Sequence, residues 1–228
     1  MSTCVIIPVY NGEKFITEVL DSVLAQTMPI EEIIVIDDGS TDATKQIIKS
    51  YTRVKYCYQI NSGVSVARNR GIRESMSEFI TFLDQDDLFL PHKMEVSLKY
   101  FKNEPQIDIV RGRFQYIFMD GFTQGRTYTE PVNPHCNFLV GSAVFRRKVL
   151  LEIGGFDETL AAAEDIDLWL RMEQANFVIK NIDDVCLYYR QHGNNTTMSP
   201  DFTTLNAKNT LQVLYRSILA RRSKIKAN

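Results

Sequence analysis

The sequence has no closely spaced cysteines. Its four, Cys4, Cys57, Cys136 and Cys186, form no CxxC pair and no Cys/His spacing suited to zinc. This excludes a dithiol redox site and a zinc ribbon, and it predicts reduced, mostly buried thiols. Glycine-rich phosphate loops are missing as well. GxGxxG does not follow the first strand-like run and GxxxxGKS/T occurs nowhere, so a bound diphosphate must be neutralised some other way. No apolar run approaches the roughly 20 residues that cross a bilayer. Met1 leads into a strand-like segment without the basic and apolar regions of a secretory signal, and the expected compartment is the cytoplasm. Nor is there an excess of basic charge. Lys and Arg number 26 against 28 Asp and Glu, a net charge of −2, which argues against a nucleic-acid partner.

With 228 residues, 44% of them hydrophobic, the chain can bury roughly 70 to 75% of its unfolded surface and needs no staple to fold. Short apolar runs bounded by turn residues alternate with segments of helical periodicity, the pattern of βαβ units on a parallel sheet. Strands are expected at residues 4–9, 33–36, 54–58 and 79–83. Helical spacing covers Phe15, Ile16, Val19, Leu20, Val23 and Leu24, with Pro29 as the stop. Ser40 or Thr41 is expected to cap the second helix, a third runs through residues 68–76, and Pro91 opens a fourth. After residue 106 the rhythm changes. Residues 107–118 and 127–129 suggest a hairpin, 164–174 a helix, 177–189 one or two strands and 205–222 a final helix. The expected fold is α/β, with a Rossmann-like half (residues 1–106) and a second half (residues 107–195) joined in one domain. A helical tail (residues 196–228) follows.

Four successive strands end in polar clusters: Tyr10-Asn11-Gly12, Asp37-Asp38-Gly39-Ser40, Asn61-Ser62-Gly63 and Asp84-Gln85-Asp86-Asp87. Each alone reads as a turn. Together, on the edge where open parallel sheets bind ligands, they read as a site. The carboxylates of Asp84, Asp86 and Asp87 are hard oxygen donors suited to Mg²⁺ or Mn²⁺ shared with substrate phosphates; the competing reading is an acidic turn capping the helix at Pro91. A second acidic cluster, Glu164-Asp165-Ile166-Asp167, either caps a helix or supplies a general base. Trp169 and Leu170 on that helix read as packing.

In order along the chain, VIIPVYN (residues 5–11), IDDGSTD (36–42), Gly63 with Ala67-Arg68-Asn69, LDQDD (83–87) and Glu164-Asp165 resemble the motifs of family 2 glycosyltransferases of the GT-A fold. The match covers roughly residues 3–192. The resemblance implies a donor that is a nucleotide diphosphate-sugar, UDP-sugar favoured, and an inverting transfer to an acceptor hydroxyl on a glycan or lipid-linked sugar. It implies that Pro8, Tyr10 and Asp38 contact base and ribose, with Asn11, Asp37 and Gln85 beside them. Arg68 is then near the diphosphate and Asp84 on the ribose or donor sugar. Asp86 becomes a ligand of Mn²⁺ or Mg²⁺, with His192 as a second, weaker candidate. Asp165 becomes the base, with Glu164 as its neighbour.

The departures are informative too. No QxxRW motif follows Asp165, which favours transfer of a single sugar over processive synthesis. Tyr116, Tyr128 and Phe138 are sugar-stacking surfaces or core. Leu211, Leu214, Ile218 and Leu219, followed by arginines and lysines, form either a membrane-surface helix or a docked helix with a solvated basic end. The rival readings are a nucleotide-sugar-binding protein without transfer, a nucleotidyltransferase, and a dinucleotide oxidoreductase; the missing glycine motifs weigh against the last two. Oligomeric state is left open.

Overall fold

In this computed structural model, residues 1–119, 131–133, 135, 138–193, 195 and 199–227 are described, the side chains of 221–227 excepted. Cys136, Tyr128 and residues 127–129 lie outside them. Three βα units open the chain: β1 (Thr3–Val9), α1 (Ile16–Leu24), β2 (Glu32–Asp37), α2 (Thr44–Lys49), β3 (Val54–Tyr58) and α3 (Val64–Glu74). Then come β4 (Phe79–Phe82), β5 (Leu88–Phe89), α4 (Lys93–Asn103), β6 (Ile109–Phe118), β7 (Ala143–Arg146), α5 (Arg147–Glu152), α6 (Glu164–Gln174), β8 (Ile179–Gln191) and α7 (Pro200–Ala227).

All eight strands form one sheet in the order β3-β2-β1-β4-β7-β6-β8-β5. The first four are parallel, β7 runs antiparallel to both β4 and β6, and β8 is parallel to β6. This is the mixed, mostly parallel α/β sheet expected. Strand β1 is buried along its whole length because helices cover both faces, as parallel sheets require. Its alternation divides the core in two. Val5, Ile7 and Val9 pack with α1 and α4, while Cys4 and Ile6 pack with α3, α5 and α6. Burial pushes the Cys4 thiol up to about 12, and Cys57 and Cys186 are likewise free thiols.

Two local expectations change. Ser40 and Thr41 do not cap α2; instead Asp42 Oδ1 accepts from the Thr44 N–H, while Ser40 and Thr41 bind Asn11. The acidic turn at 84–87 caps no helix, since β5 intervenes before α4 begins at Lys93. Strand β6 pairs with the distant β7 and β8 and bridges to Val132 through Phe114, while the other arm of the expected hairpin, residues 127–129, lies outside the described residues. Pairing across such separations is decided by the tertiary fold and leaves no local mark.

Candidate active site

Parallel pairing places the ends of β1, β2, β3 and β4 on one edge, where their loops interlock. The Asn11 N–H donates to Ser40 Oγ at 2.9 Å, the Thr41 N–H donates to Asn11 Oδ1 at 2.8 Å, and the Gly12 N–H donates to Thr44 Oγ1 at 2.8 Å. Asp38 gathers the third loop, accepting from the N–H groups of Ser62 and Gly63 and from Gln59 Nε2, each at 2.8 Å. Gly39 has φ +89°, and a Cβ there would come within 2.9 Å of the Asn61 nitrogen, so only glycine allows the loops this close.

These loops wall a cleft of about 550 Å³, the size of a small-molecule site. Pro8, Tyr10, Asn11, Asp38, Arg68, Asp84, Gln85, Asp86, Glu164 and His192 all line it. Asp37 does not. Its side chain is buried behind the loop, accepting from the Ser40 N–H at 2.8 Å and the Tyr56 hydroxyl at 2.6 Å. Asp165 also stands back from the lining, one step behind Glu164.

The buried Arg68 guanidinium joins the two acidic clusters. Nη1 donates to Glu164 Oε1 at 3.0 Å and to Asp165 Oδ1 at 2.9 Å, and Nη2 donates to Asp84 Oδ1 at 2.8 Å. Burial opposes its charge, but the carboxylates of Asp84, Asp165 and Glu164 outweigh burial and hold it firmly protonated. It is therefore neither a surface ion pair nor an arginine with its whole fork open to a diphosphate. Asp165 sits in the first turn of α6, where the helix dipole favours a carboxylate. Burial nonetheless raises it to about 7, against the pull of Arg68. Its second oxygen accepts from the Val140 N–H at 3.3 Å.

On the opposite wall, β8 clasps the 84–87 turn. The Arg190 N–H donates to Asp87 Oδ1 at 3.0 Å, and its Nε donates to the Asp86 carbonyl. His192 stacks on Phe15 with centroids 4.6 Å apart and sets Nε2 3.1 Å from Asp86 Oδ2. Burial first, and then the Asp84 charge, raise the Asp86 carboxyl. Among the described residues no group of three or more His, Cys, Asp or Glu side chains is arranged to hold a metal unaided.

Several site residues carry no sequence signal. Asn195 accepts from the His192 N–H at 2.5 Å and donates to Asp86 Oδ2 at 3.4 Å. Phe15 reads in the sequence as a core position of α1, and Phe202 as part of the tail; both line the cleft. Tyr189, also in the lining, meets Tyr116 edge-on at 5.6 Å. Trp169 belongs to the core, its Nε1 donating to the Phe138 carbonyl at 2.7 Å, while the Phe138 ring is exposed.

Residues 4–157 match the family described as Glycosyl transferase family 2. A Rickettsia typhi protein described as an uncharacterized glycosyltransferase is 30% identical over 96% of this chain and 72% of its own length. Chondroitin synthase of Escherichia coli is 29% identical over 84% of this chain, which spans only 29% of that protein. Among solved structures, S. aureus TarS 1-349 in complex with UDP superposes with a TM-score of 0.66 at 25% identity, over 84% of this chain and 61% of that one.

Proposed function

This chain belongs to glycosyl transferase family 2 and is a glycosyltransferase, and from that premise we propose that it is an inverting, metal-dependent enzyme that moves one sugar from a UDP-sugar to an acceptor hydroxyl. The observation that carries the reading is Arg68, which ties Asp84 on one side of the cleft to Glu164 and Asp165 on the other. Donor-side and acceptor-side carboxylates thus share one site. Residues 1–106 form the donor half and 107–195 the acceptor half, whose acceptor is a glycan or a lipid-linked sugar. The likeness to a TarS structure holding UDP supports uridine as the base. Pro8, Tyr10 and Asp38 lie where the base and ribose would rest, with Asn11 beside them and Asp37 bracing their loop. Asp84 and Gln85 follow toward the sugar.

Asp86 and His192 fit a divalent ion. Their donor atoms lie 3.1 Å apart, and a carboxylate beside an imidazole suits Mn²⁺ or Mg²⁺, so these two residues would hold the ion. Once bound, such an ion would supply positive charge against the departing diphosphate, so that no acid of this chain would be needed to protonate it. Asp165 removes the proton from the acceptor hydroxyl as its oxygen attacks the anomeric carbon from the face opposite the diphosphate, which inverts the configuration. A carboxyl raised to about 7 suits a base working near neutrality. Arg68 fixes its direction.

A second assignment has one observation in its favour: Glu164, not Asp165, lines the cleft, which would make Glu164 the base and Asp165 its support. Transfer by Asp165→Asn and Glu164→Gln separates the two, since the variant of the base loses turnover while keeping donor affinity. The whole reading is tested by calorimetric titration with UDP, GDP and dTDP, with and without manganese. Manganese-dependent binding of UDP alone is expected. Binding of none would overturn the proposed uridine donor and the metal dependence.

A further inference from the structure

We propose that the outward face of α7 is a docking surface for an anionic lipid bilayer. The helix has two faces with different fates. Its inner face is seated on the body: Asn209 Nδ2 donates to the Ala162 carbonyl at 3.2 Å, Val213 is buried, and Gln174 Nε2 of α6 donates to Ser217 Oγ at 2.6 Å. Arg216 adds an ion pair with Asp157 at 3.2 Å. The opposite face carries Leu211, Leu214, Tyr215 and Ile218, which are 69%, 41%, 63% and 49% exposed. Their spacing of i, i+3, i+4 and i+7 is a single helical stripe. A docked helix meets its packing needs on one side, so an apolar stripe on the other side calls for a second partner.

Charge identifies that partner. Six basic residues, Lys208, Arg216, Arg221, Arg222, Lys224 and Lys226, lie after Asp201, and no acidic residue does. The rest of the chain therefore holds eight more acidic than basic residues. A basic segment joined to an apolar stripe on an otherwise acidic protein is complementary to acyl chains beneath anionic headgroups. A second copy paired through the same face offers a single acidic side chain on that helix, Asp201, against its six basic ones. No helix among the described residues is long and apolar enough to cross a membrane, so the contact is peripheral. Phe202, near the start of α7 and on its inner face, lines the cleft, so the helix proposed to dock runs beside the site. The corollary of a lipid-linked acceptor rests on the proposed transfer reaction; the docking itself does not.

The test is flotation of the whole protein with vesicles of phosphatidylcholine, alone or mixed with phosphatidylglycerol, at low and high salt. Recovery with the anionic vesicles at low salt is expected, falling in high salt and with neutral lipid. Each basic residue near such a surface is worth about fivefold in affinity, so Arg221→Gln with Arg222→Gln should weaken binding roughly 25-fold. Leu211→Ser with Ile218→Ser should abolish flotation and leave UDP affinity unchanged, since both side chains are exposed and remote from the cleft lining. Equal recovery with both vesicle types, or flotation unchanged in the serine variant, overturns the proposal. So does a dimer by light scattering that becomes a monomer in the serine variant without any flotation of the wild type, because the stripe is then an interface between copies. Absence of UDP binding by the wild type would overturn the proposed UDP-sugar donor without touching this inference.

Discussion

Arg68 Nη1 lies 2.9 Å from Asp165 Oδ1, 97 residues away in the chain. This bond, with the one from the Val140 N–H, decides how the second acidic cluster presents itself. Burial raises the Asp165 carboxyl, and because one cation serves three carboxylates, Arg68 does not cancel the rise.

Replacing Arg68 by Met should be costly in stability and in rate. Removing one partner of a buried ion pair costs about 3 to 5 kcal/mol, read as a lower midpoint in urea unfolding. Arg68→Lys restores the charge but lacks the fork that reaches Asp84 and Asp165 together. Its midpoint should recover part of the way while kcat stays low. Full recovery of kcat in the lysine variant would show that charge alone matters.

Acid should switch the enzyme off through Asp165. Its carboxyl is raised to about 7 by burial, and a base must be ionised, so kcat/KM should fall about tenfold per unit below pH 7. Asp165→Asn should lose roughly 100- to 10,000-fold in kcat and retain UDP affinity. The sign for stability is opposite. Between the ordinary carboxylate value of about 3.9 and the folded value, the folded chain holds a proton that the unfolded chain releases, so this group makes stability fall as pH rises through that window. The slope should vanish in Asp165→Asn.

The Asp86 side of the cleft gives a graded series. Asp86→Ala should abolish manganese-dependent UDP binding in calorimetry. Asn195→Ala removes a partner that steadies both Asp86 and the His192 backbone, and outer partners of metal ligands are worth about 10- to 100-fold in affinity. Wild-type affinity in Asp86→Ala with manganese would remove the metal from the mechanism.

The first half of the fold was legible because each of its elements is local. Runs such as residues 33–36, and the periodic Ile16, Val19, Leu20 and Val23, state their type without reference to the rest. Parallel pairing then forces all four polar clusters to one edge, so much of the cleft could be read before any contact was known. Helix α6 was legible for the same reason. What could not be read depends on contacts between distant segments. The four residues of β7 slip between β4 and β6, and nothing in AVFR announces that place. Asn195 and Phe15 join the site only because β8 returns beneath α1. Nor does any local pattern show that Asp84 and Glu164, 80 residues apart, close on the same Arg68 guanidinium.

Lys93 gives the last prediction, in the opposite pH range. It is fully buried on α4, donating to the Gly141 carbonyl and lying 4.0 Å from the Phe89 ring centroid. Among the described residues no carboxylate offsets its burial, which brings the ammonium down from 10.5 to about 7; the neighbouring Cys186 thiol is itself pushed up to about 11. Between pH 7 and 10.5 the unfolded chain therefore binds a proton that the folded chain does not, and stability should rise with pH across that window, by at most about 1.4 kcal/mol per unit. Lys93→Met should flatten the rise in urea midpoints measured from pH 7 to pH 10. It should also lower kcat, because Gly141 belongs to the turn whose Val140 N–H reaches Asp165, and that turn loses its anchor. A flattened stability curve with unchanged kcat would show that the anchor serves the fold alone.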